Sequence, residues 1–139
     1  MSVQPSAPDS QADEVVISSG KTPHYVQGRR SFFKYRDLGV TAGSHGRIRA
    51  QITSAEAGMS EPTGWHVHHC EGQFVYILQG WVDLEFADRK VRVEAGDSIF
   101  IPGETPHNET ATSDALEILE VSVPADMGTT ACDPPAGRG

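Results

Sequence analysis

Four side chains near the middle of this chain carry donor atoms suited to a transition metal. They are His66 and His68 in the stretch WHVHHC, Gln73 at the head of an apolar run, and His107 after the proline-bounded turn IPGETPH. On an extended strand side chains alternate between faces, so His66 and His68 point one way while Val67 and His69 point the other. Two imidazoles at i and i+2 lie about 7 Å apart at Cα and can reach one ion between them. Two protein ligands do not hold a first-row metal firmly, so further donors must come from elsewhere in the chain. The Gln73 amide oxygen is a neutral, hard donor, and the turn before His107 would return the chain to the same pocket. Taken alone, the histidine pair equally suits a structural or surface role.

Other residues surround this set. Glu120, in LEILEVSV, shares a strand face with Leu116, Ile118 and Ser122. If that face lines the interior, Glu120 is a carboxylate near the mouth that could serve as general acid or base; if Leu119, Val121 and Val123 face inward, it lies on the surface. Arg47 and Arg49 share a face opposite Ile48 and Ala50 and are expected at the surface, although an inward face would make them a carboxylate clamp. Cys70 is expected to pack as a thiol and not to ligate. Trp65, Tyr76 and Trp81 could line a pocket, but alternation places Gln73, Val75 and Ile77 on the ligand face and turns Phe74 and Tyr76 away from it.

These side chains have to be carried by strands. Arg47–Ser54 alternates, Phe74–Leu78 reads as a buried strand, and Val82, Leu84 and Phe86 share one face. Val91 and Val93 alternate with charged residues, Ile99–Ile101 is a short strand, and Leu116–Val123 is a strong one. Short strands separated by turn signals, with no convincing helix, predict an all-β sandwich or barrel. The length of 139 residues suits one domain. It is expected over residues 15–123, between a disordered arm at 1–14 and a flexible tail at 124–139. The net charge of −8 argues against a nucleic-acid partner. No apolar run is long enough to span a membrane and no signal-peptide layout opens the chain, so a cytoplasmic address is expected. Two cysteines, one in the histidine cluster and one in the tail, do not make a disulfide framework.

The pattern resembles the cupin superfamily, small jelly-roll (RmlC-like) β-barrels built on two motifs. The first runs G-x5-H-x-H-x3-4-E-x6-G, matched here by His66, His68, Gln73 in the glutamate position, and Gly80. The second runs G-x5-P-x-G-x2-H-x3-N, matched by Gly96, Pro102 and His107, with the 15 residues Trp81–Ala95 between the motifs. The first glycine is out of register at Gly58, Glu104 stands where the second motif has glycine, and Ala111 replaces its asparagine. The resemblance implies one divalent metal (Fe, Mn, Ni, Zn, Co or Cu) held by His66, His68, Gln73 and His107. With glutamine in the glutamate position the ion keeps its full charge, which favours Lewis-acid chemistry on a small hydroxy- or keto-type substrate. The three-His, one-Gln set resembles that of cupins that linearise unsaturated uronates, although no arginine follows Arg92 within the domain as that activity would want. An iron- or copper-dependent dioxygenase and a non-catalytic binding module are the other readings. The resemblance also implies a homodimer. GRRSFFKYRDLG, residues 28–39, would then lay a strand across a partner's sheet, anchored by Phe32, Phe33 and Tyr35.

Overall fold

The computed structural model describes residues 14–28 and 31–136, so the expected arm lies almost wholly outside the described residues, as do Arg29 and Arg30. Among the described residues, eleven strands and one short helix follow in chain order. They are β1 (Val26–Gln27), β2 (Lys34–Asp37), α1 (Val40–Gly43), β3 (Arg49–Ala55), β4 (His66–His69) and β5 (Gly72–Gln79). After these come β6 (Trp81–Glu85), β7 (Lys90–Glu94), β8 (Ser98–Pro102), β9 (Asn108–Thr112), β10 (Leu116–Val123) and β11 (Gly128–Ala131). The fold is all-β, as the turn-punctuated alternation predicts, and all strand pairs are antiparallel.

One layer is a six-stranded sheet in the order β1-β2-β3-β10-β5-β8; the other consists of β7-β6-β9 and the pair β11-β4. His66 and His107 join the latter two by exchanging both backbone hydrogen bonds, each 3.0 Å. Between the layers sit Ala55, Val75, Ile77, Ile101, Leu116 and Ile118 from the large sheet and Val82, Leu84 and Val93 from the small one. Alternation delivers these residues inward, and each large aliphatic side chain among them contributes roughly 1.5–3 kcal/mol by leaving water. The apolar core fills one end of the sandwich and leaves the other end to polar side chains.

That division inverts the expectation for β3. Its apolar residues Ala50 and Ile52 pair with Val121 and Leu119 on the outer face of the large sheet, while Arg49, Gln51 and Thr53 face the interior. The sequence pattern assigns a strand two faces but does not say which is wet, and here the enclosed face is the polar one.

Strand β9 contains a second departure. Across the β6–β9 pair, Val82 lies opposite Thr112, Asp83 opposite Ala111 and Leu84 opposite Glu109, so Thr110 is an extra, unpaired residue. Such a bulge reverses the alternation beyond it. Val82 and Leu84 both face the core, so Thr112 and Glu109 both face inward although they are an odd number of residues apart. His107, two residues before Glu109, shares its face.

The segment after Val123 is not a featureless tail. Gly128–Ala131 forms β11 and pairs with β4 across all four of its residues, from Gly128 opposite His69 to Ala131 opposite His66. Its sequence, GTTA, has no apolar alternation to announce a strand; unpaired backbone groups at the edge of β4 provide the reason for it. Near the N-terminus, β2 pairs with β3 of the same chain. Phe33 and Tyr35, expected as anchors on a partner, instead line this chain's own interior.

Candidate metal centre

His66, His68 and His107 come together between the two layers, His66 and His68 lining a pocket of about 320 Å³ and His107 buried beside them. Their ring centroids are 4.4–5.0 Å apart. One ring nitrogen of each is engaged by the protein. His66 Nδ1 donates to the Gly64 carbonyl at 2.7 Å, His107 Nδ1 donates to the Thr105 carbonyl at 2.9 Å, and His68 Nδ1 pairs with Thr129 Oγ1 at 2.9 Å. Holding Nδ1 in this way fixes each ring and leaves Nε2 as the donor to a metal. The ligand atoms of the three residues lie within 4.8 Å of one another, so small ring rotations bring them to the roughly 3–3.5 Å separation of nitrogens on one ion. His107 is 1 % exposed, and among the described residues its Nε2 makes no aligned hydrogen bond, which leaves it available to a cation. The residues fit a metal.

Gln73 and Glu120 stand on the facing sheet. Glu120 points inward, which settles the two orientations its strand allows. Its Oε1 accepts from Gln51 Nε2 at 3.0 Å and, in a short contact, from Thr53 Oγ1; its Oε2 accepts from Gln73 Nε2 at 3.3 Å. An amide donating through Nε2 keeps Oε1 free for a metal, so Gln73 can link the carboxylate and the ion. Arg49 lines the same pocket with no hydrogen-bond or ion-pair partner among the described residues. Arg47 is exposed and donates from Nε to the Ser44 carbonyl. Phe33, Tyr35, Trp65, Met127, Thr129 and Ala131 also line the pocket.

The sequence reading missed Glu109. Its Oε2 lies 3.3 Å from His107 Nε2 and 3.6 Å from His66 Nε2. Burial favours the neutral form of this carboxyl, but the histidines beside it outweigh burial and hold its pKa below the ordinary value. Burial likewise opposes charge on His107, and the Glu109 carboxylate outweighs it, raising that pKa. A two-residue offset from His107 was the available signal; without the bulge, nothing connected it to the core pattern.

The remaining candidates lie outside the pocket. His69 is exposed and bridges Glu104 Oε2 at 2.8 Å and Thr130 Oγ1 at 2.6 Å. Glu104 takes the left-handed conformation, φ 63°, at the position where a glycine was expected, and that conformation costs about 1–2 kcal/mol for a residue with a Cβ. Cys70 is a free thiol outside the histidine cluster. Tyr76 lies on the outer sheet face, and Trp81 packs under the Arg92 guanidinium at 3.6 Å.

Comparison with known proteins agrees with this architecture. The family model for the cupin domain matches residues 53–122. The uncharacterized protein MJ1618 of Methanocaldococcus jannaschii is 31 % identical over 78 residues, 55 % of this chain and 62 % of that protein. Among solved structures, the polyketide cyclase RemF of Streptomyces resistomycificus superposes with a TM-score of 0.67 at 19 % identity, covering 88 % of this chain and 90 % of that one. KdgF from Halomonas sp. gives 0.64 at 18 % identity, covering 80 % and 94 %. At these identities the structural likeness concerns the fold.

Proposed function

The chain belongs to the cupin domain family, and on that premise we propose that it is a metal-dependent enzyme acting on a small polar hydroxy- or keto-type substrate. His66, His68, Gln73 and His107 would hold one divalent transition ion, and Glu120 would act as general acid or base in an isomerisation, ring opening or elimination. The observation that carries this reading is the meeting of three convergent imidazoles, two of them lining the pocket, with a carboxylate pinned by three donors on the facing sheet. A bound divalent ion supplies Lewis-acid polarisation of a substrate oxygen. Fe, Mn, Ni, Zn, Co and Cu all accept imidazole and oxygen donors, so the ligand set admits each of them.

The protein's own groups do the rest. Gln51 and Thr53 keep one Glu120 oxygen in place, and the Gln73 amide orients the other toward the metal side of the pocket, where a substrate proton would be exchanged. The Arg49 guanidinium, without a partner among the described residues, suits an acid group on the substrate, held in two-pronged fashion. Trp65, Phe33 and Tyr35 provide apolar surface that limits water at the reacting end. A second reading, an iron- or copper-dependent dioxygenase, draws support from the Glu109 carboxylate beside the imidazoles, since added negative charge favours higher metal oxidation states.

Elemental analysis of untagged protein beside His66→Ala tests the metal. About one equivalent in the parent, lost in the variant, is expected. No metal after reconstitution with any of the six ions would defeat the enzyme reading and leave a binding or structural module. Substrate-dependent oxygen uptake would replace the first reading with the second.

A further inference from the structure

The pocket holds two carboxylates with very different surroundings. Glu120 accepts from two amides and a hydroxyl. Glu109 is three-quarters buried on its side chain, yet among the described residues its carboxylate has no ion-pair or hydrogen-bonding partner beyond the imidazoles. A carboxylate removed from water normally collects donors. This one instead adjoins two imidazoles whose Nδ1 atoms are tethered to backbone carbonyls.

We propose that Glu109 is a direct ligand of the metal held by His66, His68 and His107, an inference that rests on the metal-site reading above. Donor atoms bound to one ion at about 2.0–2.2 Å lie roughly 3.0–3.5 Å from one another. Glu109 Oε2 stands 3.3 Å from His107 Nε2 and 3.6 Å from His66 Nε2, close to the spacing of neighbours on one ion. The His107 nitrogen meets no acceptor with hydrogen-bond alignment, so it and the carboxylate are near each other without being aimed at each other. A common point beside both satisfies the pair. The backbone is shaped to this end as well, because the extra residue Thr110 turns Glu109 inward while Thr112 remains in the core.

The consequence is electrical. Gln73 occupies the position where the resembled motif carries a glutamate, which by itself would leave a divalent ion its full charge. Glu109 supplies a carboxylate from the opposite layer and brings the centre to a net +1. The negative ligand is relocated, from the strand that carries Gln73 to the strand that follows His107.

The test uses the full chain, stripped of metal and titrated with Co2+ against a competing chelator while its visible absorption bands are recorded. Glu109→Gln is expected to weaken Co2+ binding about tenfold or more and to shift the bands. Glu109→Asp keeps the charge but withdraws the oxygen by one methylene, so it too should shift the bands. Unchanged affinity and bands in both variants would overturn the proposal. So would a weaker Gln variant beside an Asp variant with parental affinity and bands, the pattern of a charge that attracts the ion without touching it. A parent protein that takes up no Co2+ would defeat the metal-site reading and this one with it. If circular dichroism shows Glu109→Gln misfolded, Glu109→Asp carries the test.

Discussion

Thr129 is a polar side chain on a strand that the sequence does not announce, and its hydroxyl pairs with His68 Nδ1. The other two imidazoles are aimed by backbone carbonyls, which no substitution removes. Thr129→Val therefore frees one ring alone, and is expected to lower metal affinity by about 10- to 100-fold in a chelator competition without altering the circular dichroism. Glu120→Gln has a different signature. It should leave metal content at the parental level while turnover falls by about 10²–10⁴-fold, measured on one preparation for both. Gly103 tests the turn before His107. A Cβ there would stand 1.6 Å from the Cys70 carbonyl oxygen, so Gly103→Ala should lower the melting temperature by several degrees. At this level the imidazoles were legible because strand periodicity and the length of one turn bring them together. Glu109 was not legible, since its direction depends on an irregularity that residue types do not encode.

Strands are legible where they bury apolar residues. The boundaries expected for Leu116–Val123 coincide with β10, and Phe74–Leu78 lies inside β5, whose Ile77 is 0 % exposed. Ile77→Ala is expected to cost about 2–5 kcal/mol in urea unfolding, because the two layers close on that side chain and cannot collapse fully into the space. Strands β9 (NETAT) and β11 (GTTA) show no such signal. Their polar side chains serve neighbours: Asn108 accepts from Gly64 N at 2.9 Å and donates to Glu85 Oε1 at 3.1 Å. Strand β3 was located correctly, with its faces exchanged, because a polar interior looks like a surface in an alternating pattern. Strand β11 is held chiefly by β4 and forms one wall of the pocket. Deleting residues 126–139 should thus weaken metal binding and expose Trp65, seen as a red shift and easier quenching of its fluorescence, while the core cluster keeps the remainder folded.

The molecule as a whole presents one broad apolar surface, the outer face of the large sheet. Pairing places Ile52, Leu119 and Tyr76 in one cross-strand row and Val121, Phe74 and Phe100 in the next, with Phe100 61 % exposed. Contiguous patches of this kind are common at subunit contacts, and a homodimer such as the sequence leads one to expect would cover this one. Phe100→Glu should convert such a dimer to a monomer in light scattering while leaving one metal per chain. Among the described residues no helix is long and apolar enough to cross a membrane. The bulge at Thr110 bears on the entire chain in another way. His107 and Thr112 differ by an odd number, yet both face inward, so the centre depends on a count as much as on chemistry. Deleting Thr110 alone would keep every histidine, both pocket carboxylates and nearly the whole composition. It would also restore simple parity to the strand, forcing either Thr112 or the His107–Glu109 pair out to the far side. Two chains with identical ligand inventories could thus differ as metalloprotein and empty scaffold by one residue that touches nothing in the site.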